Sequence, residues 1–194
     1  MAKVVYQSKD GKIRCKWCLK DDLYVNYHDN EWGVVSHNDQ HLFEHLILET
    51  FQAGLSWHTI LKKRENFRKA FDNFNPVKMA NYSDRDVDRL MSNAGIIRYK
   101  AKIKAAINNA KQFLIIQKEF GSFDRYIWQF TNYKTISIVI NKQEDVRTTT
   151  PQSDEMSNDL KKRGFKFVGS ITCMAYMESV GMVNDHFSTC WKAS

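Results

Sequence analysis

The run NYHDNEWG, residues 26–33, concentrates side chains that could do chemistry. One imidazole and two carboxyl groups stand beside two large aromatic rings, with no helical or alternating spacing. Burying such charged groups without partners costs several kcal/mol each, and an ordinary surface loop has no need of tyrosine and tryptophan. We therefore expect this run to serve a specific site, and to lie in a loop.

Cysteine and histidine recur at the two ends of the chain. Cys15 and His28 lie near the start, and His186 and Cys190 near the end. Two thiolates and two imidazoles complete the tetrahedral shell that Zn²⁺ favours, and an ion bound there would tie the terminal segments together. The alternative is that the four residues are unrelated. Cys18 is a competing ligand, because its CxxC spacing with Cys15 occurs in both metal sites and redox pairs.

A basic stretch, LKKRGFKFVGS, separates two predicted helices near the C-terminus. Gly164 and Gly169 at its borders permit positive φ and the close approach of another backbone. The helix that starts at Ser170 offers free N–H groups and a positive dipole end to a phosphate, and Lys166 adds charge. This pattern is typical of a helical hairpin that holds a DNA backbone without reading bases. An ordinary αα-hairpin with a solvated basic face is the alternative.

Most of the remaining chain has the apolar spacing of helices, and capping residues mark several of their starts. We expect helices over Asp39–Gln52, from Ser56 to Phe71, after Asn75–Pro76, from Ser83 to Gly95, over Tyr99–Lys118, after Gly121, from Ser153 to Gly164 and from Ser170 to Gly181. Only KTISIVINK has strand propensity, and it is too isolated to form a sheet by itself. The sequence predicts a mainly α protein.

The chain has 194 residues, a length that suits one domain with a substantial core. We expect a single unit over 1–194, with a helical body at about 38–181 and loop-rich segments at 1–37 and 182–194. The net charge of +7 favours a polyanionic partner without requiring one. No apolar run approaches a membrane span and no secretory signal is evident, so we expect a cytoplasmic protein with no membrane partner.

Several longer strings resemble one known family. YHDNEWG, QAGLSW, KKRGFKFVG and GMVNDHFSTC lie in register with the 3-methyladenine DNA glycosylase I family, bacterial base-excision-repair enzymes, from about residue 15 to residue 190. AGIIRYKAKI also resembles the wider helix-hairpin-helix glycosylase superfamily. The resemblance implies a helix-hairpin-helix glycosylase-like helical domain whose loop-rich termini are joined by one structural zinc ion.

The resemblance also implies roles for individual residues. The zinc ligands are Cys15, His28, His186 and Cys190, with Cys18 a bystander and Cys173 a buried helix residue. The base pocket takes Glu49 as the carboxylate that reads the base, Trp57 as the stacking ring, and Tyr27, Trp17 and Trp32 as further aromatic walls. Gly164, Lys166, Gly169 and Ser170 contact the DNA backbone. Without the resemblance, Glu49 paired with a lysine and the tryptophans as plain core would be the simpler interpretation.

The implied activity is hydrolysis of the N-glycosidic bond of 3-methyladenine in alkylated double-stranded DNA, by a monomer, without strand cleavage. A zinc-containing DNA-binding module without catalysis is the rival class. It would not require Glu49 and Trp57 on either side of a glycine break. A redox protein built on Cys15 and Cys18 is a third alternative.

One residue of the wider superfamily has no counterpart in register. Superfamily members place a catalytic aspartate after the hairpin, and the aligned residue here is Asn184. Asp185 lies one position away, beside His186. We therefore expect no aspartate to activate water or to shield the sugar cation. The alternative is that Asp185 or another acid reaches the sugar in three dimensions.

Overall fold

Nine α-helices dominate residues 5–8 and 10–193, which the computed structural model describes. They are α1 (Asp22–Asn30), α2 (Asp39–Gln52), α3 (Trp57–Ala70), α4 (Pro76–Ala80), α5 (Asp84–Ser92), α6 (Lys100–Phe120), α7 (Phe123–Trp128), α8 (Pro151–Lys162) and α9 (Ser170–Ser179). The prediction of a mainly α protein is confirmed. Residues 1–4, 9 and 194, which belong to the predicted terminal segments, lie outside the described residues.

Local capping signals account for most of the helix starts. Asn38 accepts a hydrogen bond from the third residue of α2, Ser56 does the same for α3, and Asn75 for α4, which has proline in its first turn. Ser83 and Asp86 form a capping box at the start of α5. These four starts agree with the sequence predictions.

Helix α8 differs from the prediction at its start. Its N-cap is Thr150, with Pro151 in the first turn, whereas Ser153 is the third helical residue. The Ser153 hydroxyl accepts a hydrogen bond from the Thr150 N–H at 2.8 Å, and the Thr150 hydroxyl accepts one from the Ser153 N–H at 3.2 Å. The predicted cap is thus the other half of a reciprocal capping box. At another boundary, α5 ends at Ser92, three residues before the predicted Gly95.

The N-terminal segment holds a helix that was not predicted. Asp21 caps α1 by accepting a hydrogen bond from the Tyr24 N–H, and the helix continues to Asn30. The run NYHDNEWG therefore lies on the last turn of a helix and the turn after it, and its assignment to a loop was wrong. The run shows no helical spacing of apolar residues, because its polar side chains contact other parts of the protein instead of solvent.

Short strands occur in both terminal segments of the chain. β1 (Val5–Gln7) pairs antiparallel with β2 (Ile13–Cys15), and β3 (Ile136–Ser137) pairs parallel with β4 (Val183–Asn184). The predicted strand stretch thus finds its partner in the C-terminal segment. Trp191 donates its backbone N–H to the Ile13 carbonyl at 2.9 Å, which joins the two termini directly.

Helix α2 is the centre of the core. All ten residues from Leu42 to Phe51 are buried, because α3, α6, α7 and α9 pack around it. A helix enclosed on all sides can carry polar residues only where they have a partner or a purpose. Within the described residues no helix is both long and apolar enough to cross a membrane.

Candidate functional site

A cavity of about 380 Å³ opens between α1, α2, α3, α9 and the segment before α8. Its floor is aromatic and buried, whereas the residues toward solvent are exposed. Six aromatic rings and three carboxyl groups line it, namely Trp17, Tyr24, Tyr27, Trp32, Trp57 and Phe187, with Glu49, Glu178 and Asp185. All five residues that the sequence assigned to a base pocket are therefore brought together.

Glu49 stands on the last turn of α2 with its side chain in this cavity. The residue is only 3% exposed, and its carboxyl group has no hydrogen-bond partner among the described residues. Burial raises the pKa of Glu49 well above its ordinary value, because no donor or cation offsets the cost of a buried charge. Within the described part of the chain no lysine pairs with Glu49, which was the alternative that the sequence left open.

Three further polar atoms of the cavity lining, one of them the Asp185 Oδ1, are buried without a hydrogen-bond partner among the described residues. The Gln52 Oε1 lies one turn beyond Glu49, and the Trp57 Nε1 begins the next helix. Buried polar groups in proteins are nearly always satisfied, and each exception costs about 1–3 kcal/mol. Unpaired groups that share one cavity indicate a site built for a polar ligand.

The break between α2 and α3 brings Glu49 and Trp57 to the same cavity. Gly54 has a φ of +81°, which favours glycine, and Ser56 caps the new helix. The buried Lys102 donates from Nζ to the carbonyl oxygens of Phe51 and Ala53 at 2.7 and 2.5 Å. Lys102 thereby satisfies the free carbonyls at the end of α2 and holds the turn in place.

The aromatic rings of the cavity wall contact one another at tilted angles. The ring centroids of Tyr27 and Trp57 are 5.2 Å apart, with the rings tilted by 45°. Trp17 meets Trp32 edge to face at 4.9 Å, and its ring centroid is also 4.9 Å from that of Tyr24. Such tilted arrangements are the favoured geometries of aromatic pairs, so the rings of the wall support one another.

Glu178 and Asp185 are cavity residues that sequence reasoning did not place there. Glu178 follows Ile171, Met174 and Ala175 along one face of α9, and its carboxyl group lies beside that of Asp185. Burial and the neighbouring charge of Asp185 raise the pKa of Glu178 well above its ordinary value, and burial raises that of Asp185 to about 6. The 3–4–7 spacing on α9 was the available signal for Glu178.

The position of Asp185 changes one expectation. The sequence placed it out of register, yet its carboxyl group lines the same cavity as Glu49. Register in the sequence could not reveal this, because the pairing of β4 with β3 sets where the chain runs after Asn184. Whether the acid takes part in chemistry stays a prediction.

A second cluster lies beside the cavity. The ligand atoms of Cys15, His28 and Cys190 are all buried and lie within 4.8 Å of one another, so these three residues could hold a metal ion. The Cys190 Sγ and the His28 Nε2 are 3.4 Å apart. Cys18 stays outside this group and donates its thiol to the Cys15 carbonyl at 3.1 Å.

His186 stands next to these three residues. Its ring lies 5.0 Å from that of His28, and its Nε2 is buried without a partner in the described structure. The Nδ1 of His186 pairs with the Asn184 Oδ1 at 2.8 Å, and the Nδ1 of His28 pairs with the Asp29 Oδ1 at 2.8 Å. Both rings therefore keep Nε2 for a ligand, the arrangement that orients metal-binding histidines.

Charges in the cluster suit a cation. A hydrogen bond from the Cys15 thiol, and a further one from His28, lower the pKa of Cys190 to about 4, whereas the pKa of Cys15 is raised. Burial lowers the pKa of His186 to about 3, so its ring is neutral. Thiolate and neutral imidazole are the forms that ligate metals, and the donor set fits a zinc ion.

The glycine that closes NYHDNEWG packs against the cluster. Gly33 has a φ of +75°, and a Cβ atom there would lie 2.9 Å from the Cε1 of His186. No other residue type combines that backbone conformation with so close an approach. The motif thus serves both sites, with Tyr27 and Trp32 on the cavity and His28 and Gly33 on the cluster.

Comparison with known proteins shows the family of the chain. The family described as Methyladenine glycosylase matches residues 17–193. The chain belongs to this family. It is 46% identical to the DNA-3-methyladenine glycosylase 1 of Escherichia coli strain K12 over 91% of this chain and 95% of that protein.

Solved structures of methyladenine glycosylases are also similar. A crystal structure of 3-methyladenine DNA glycosylase I has a TM-score of 0.91 and 44% identity, covering 93% of this chain and all of that one. A single-residue variant of 3-methyladenine DNA glycosylase I in complex with 3-methyladenine has a TM-score of 0.90 and 36% identity, covering 93% of this chain and 97% of that one.

The connection between α8 and α9, residues 163–169, contains three of the four residues that the sequence analysis assigned to the DNA backbone. Gly164 uses the positive φ that glycine permits, with a φ of +88°, whereas Gly169 has a φ of −65° and acts as the N-cap of α9. Positive φ occurs also at Phe167. A Cβ at Gly169 would meet nothing within 4 Å, so open space remains there for the approach of another backbone.

Two asparagines of α6, which the sequence analysis did not single out, hold this connection. The fully buried Asn109 donates to the Lys166 carbonyl at 3.0 Å and accepts from the Lys166 N–H at 2.8 Å. Asn108 donates to the Gly164 carbonyl at 2.8 Å. A polar residue on the apolar face of a predicted helix was the available signal. The Ser170 hydroxyl bonds to Asp154 and Ser153 within the protein.

Proposed function

We propose that this protein is a DNA glycosylase that removes 3-methyladenine from alkylated double-stranded DNA. It hydrolyses the N-glycosidic bond, releases the free base and leaves an abasic site without cutting the strand. The observation that carries this proposal is the buried, unpaired Glu49 facing a cavity walled by aromatic rings, in a chain of the methyladenine glycosylase family.

The charge of the lesion explains the selectivity of such a cavity. An adenine methylated at N3 is cationic while still bonded to deoxyribose, whereas normal adenine is neutral. A cation beside Glu49 offsets the burial that raises the pKa of this carboxyl group, so ion and carboxylate stabilise each other. The rings of Tyr27 and Trp57 add cation–π attraction of about 0.5–2 kcal/mol each, and Trp17 and Trp32 complete the walls.

The same charge explains why a strong catalytic acid is not required. A base that leaves a cationic nucleoside departs as a neutral molecule, so its glycosidic bond is already weak. The protein then has to take the nucleotide out of the duplex, at a cost of a few kcal/mol, and to bind the cationic state better than the neutral one. We infer that Glu49 and the aromatic rings supply this difference.

The connection between α8 and α9 is positioned to hold the DNA backbone during that step. Ile171, directly after Ser170, lines the cavity, so the N-terminus of α9 stands at its opening. Free N–H groups at that end, the open space at Gly169 and the charge of Lys166 suit a phosphate. We infer that Gly164, Lys166, Gly169 and Ser170 form a helix-hairpin-helix contact with one strand.

We infer that the cluster holds one structural zinc ion through Cys15, His28, His186 and Cys190. Four protein ligands leave no open position, so the ion cross-links the terminal segments rather than activating water. Asp29 and Asn184 orient the two imidazoles, and Arg14 fixes Asp29 with hydrogen bonds of 2.7–3.0 Å. Such an enzyme must reach chromosomal DNA, so we expect it to act in the cytoplasm. We also expect a monomer.

Incubation with methylated duplex DNA, followed by chromatography of the released bases, tests the proposal. We expect 3-methyladenine in the supernatant, little or no hypoxanthine from a duplex that contains it, and strands that break only after alkali treatment. If a folded protein binds the methylated duplex but releases no base, the rival class of a DNA-binding module without catalysis is the better description.

A further inference from the structure

One wall of the cavity has no role in the proposed function so far. Residues 143–149, here called the mouth loop, contribute Gln143, Val146, Arg147 and Thr148 to the lining. All four are exposed, as is Ile171 on the opposite side at 65%, whereas Glu49 is 3% exposed. The exposed residues define the opening of the cavity, and the mouth loop faces the N-terminal turn of α9 across it.

Both ends of the mouth loop are anchored. The Asp145 carboxylate accepts hydrogen bonds from the N–H groups of Asn141 and Lys142 at 3.0 and 3.1 Å. At the other end, Thr150 and Ser153 form the buried capping box of α8. A loop fixed on both sides holds Arg147 at the opening instead of leaving it on a freely moving tether.

Arg147 is an exposed cation without an ion-pair partner in the described part of the chain. Several other arginines, among them Arg14, Arg64, Arg68 and Arg163, are paired with carboxylates. A guanidinium presents a planar fork that matches two phosphate oxygens. Arg147 lies at the rim of the cavity and is therefore separated from the floor, where Glu49 requires a cationic ligand.

A nucleotide turned out of the duplex has charges that match this layout. Its cationic base enters the floor, its sugar lies at the opening, and its phosphates remain at the rim. We propose that Arg147 binds a phosphate next to the flipped nucleotide, across the opening from the N-terminus of α9. This proposal rests on the proposed function, since it assumes that the cavity receives a base from DNA.

Salt dependence of duplex binding tests the proposal directly. The probe is a duplex with one stable tetrahydrofuran abasic site, measured by fluorescence anisotropy at about 50 to 200 mM salt. Each phosphate neutralised by a protein cation contributes about 0.9 to the slope of log affinity against log salt. We expect Arg147→Ala to reduce the slope by about 0.9, which makes binding about eightfold weaker at 0.1 M salt if the two lines meet near 1 M.

Two variants serve as controls. Arg147→Lys keeps the charge, so it should retain the slope while losing some affinity with the planar fork. Lys69→Ala removes an exposed cation on α3, twelve residues from Trp57 and thus about 18 Å along the helix. It should leave slope and affinity close to those of the parent. Binding of free 3-methyladenine, followed by tryptophan fluorescence, should be unchanged in Arg147→Ala.

An unchanged slope in Arg147→Ala, or an equal loss in Lys69→Ala, would overturn the proposal. So would tighter binding of the free base by Arg147→Ala, because Arg147 would then neutralise the cavity carboxylates. Base release by the parent is measured separately. If the parent releases no 3-methyladenine, the proposed function fails whatever the slopes show. If it releases the base and the slope is unchanged, only the assignment of Arg147 fails.

Discussion

The Cys/His cluster (Cys15, His28, His186 and Cys190) and the cavity share helix α1, but their polar groups are paired in opposite ways. Tyr27 faces the cavity, and the next residue, His28, faces the cluster. In the cluster, oxygen acceptors hold the Nδ1 atoms of both imidazoles, and only the atoms turned toward the other ligands are free. In the cavity, Glu49 and Trp57 face an opening to solvent with polar groups unpaired.

We interpret this difference as one between a site for a ligand that stays bound, the cluster, and a site for a ligand that exchanges, the cavity. Partners around the cluster fix its geometry, which suits an ion that stays bound. Unpaired groups in the cavity cost stability in the free protein and are satisfied only when a ligand is bound. A site that must release its product benefits from that arrangement.

Loss of the metal should affect stability far more than chemistry. An ion that joins His28 to Cys190 closes a loop of 162 positions, and a cross-link of that span is worth on the order of 4–5 kcal/mol. We therefore expect His186→Ala to lose zinc and to melt roughly 10 °C lower, with excision little changed below the melting temperature. Elemental analysis and calorimetry, with and without chelator, measure this.

The matched control is Cys18→Ser, a buried residue beside the cluster whose side chain is outside it. It should keep one equivalent of zinc. Protein purified without chelator that contains no zinc, or a Cys18→Ser protein that loses it, would contradict the assignment of the ligands.

Removal of the charge of Glu49 should have the largest effect on excision. Glu49→Gln keeps the shape but no longer offers a carboxylate to the cationic base, and a loss of one preorganised electrostatic partner typically costs about 10²–10³ in rate. Single-turnover release of 3-methyladenine and binding of the free base measure the effect.

Glu44→Gln is a control on the same helix. Glu44 is also buried, but it pairs with Arg68 at 2.7 Å and does not line the cavity. The Glu44→Gln substitution should lower the free energy of unfolding and leave the rate of excision near the parent value. Equal rates for Glu49→Gln and the parent would show that the pocket is misplaced.

Loss of the Trp57 ring should weaken base binding by about 1–3 kcal/mol, the usual value of one base–aromatic stack. Trp57→Phe should keep a large part of that energy, because it retains a ring face. Trp191→Ala, on the cluster side of the molecule, provides the comparison. Excision by Trp57→Ala at the parent rate would remove this ring from the proposed pocket.

Unpaired buried groups without a cavity should only cost stability. His45 is fully buried with both ring nitrogens unpaired in the described structure, and burial lowers its pKa well below the ordinary value. The pKa of the neighbouring His41 is lowered by burial as well. The charged groups around the pair are Arg64 and Arg68 together with Glu31 and Glu44.

The sign of the pH dependence follows from those pKa shifts. Below about pH 6.5 the unfolded chain takes up protons that the folded histidines do not, so stability is present above that pH and is lost as the pH falls. The slope per histidine approaches about 1.4 kcal/mol per pH unit. We expect His45→Met to flatten the decline in the free energy of unfolding, measured with urea, between about pH 7 and 5.5. His37→Gln, at an exposed position, should leave this decline unchanged. Equal slopes for His45→Met and the parent would contradict this.

The Glu178–Asp185 pair should show the smallest effect on excision. Burial and the charge of Asp185 raise the pKa of Glu178 well above its ordinary value, which favours a protonated carboxyl group that can donate to Asp185. The amide of Glu178→Gln can donate in the same way. We expect less than about a tenfold change in single-turnover excision, which corresponds to ~1.4 kcal/mol.

Asp185→Asn and Asn184→Ala complete this comparison. We expect modest effects from both, with folding and zinc content checked because His186 follows directly. A loss of several orders of magnitude in folded, zinc-replete Asp185→Asn would show that this acid takes part in the chemistry after all.

Local sequence signals predicted the helices from α2 to α6 to within a few residues. Caps at Asn75 and Ser83 act through contacts within four positions, and the apolar spacing of α2 coincides with its buried residues. The resemblance to the family likewise assigned Glu49, Trp57 and Tyr27 to one pocket, and the structure places all three in one cavity. The sequence could show this because the glycine break between α2 and α3 is itself a local feature.

Local patterns were therefore enough to predict the helical body and to identify the groups that carry chemistry. Long-range packing, in contrast, places the start of NYHDNEWG on a helix, pairs β3 with β4, and brings Glu178 and Asp185 to the cavity of Glu49. The two kinds of feature depend on interactions of different range. Caps and periodicity act within one or two turns, whereas Asp29 is held by Arg14, and Asn109 by Lys166, across stretches of chain that folding alone brings together.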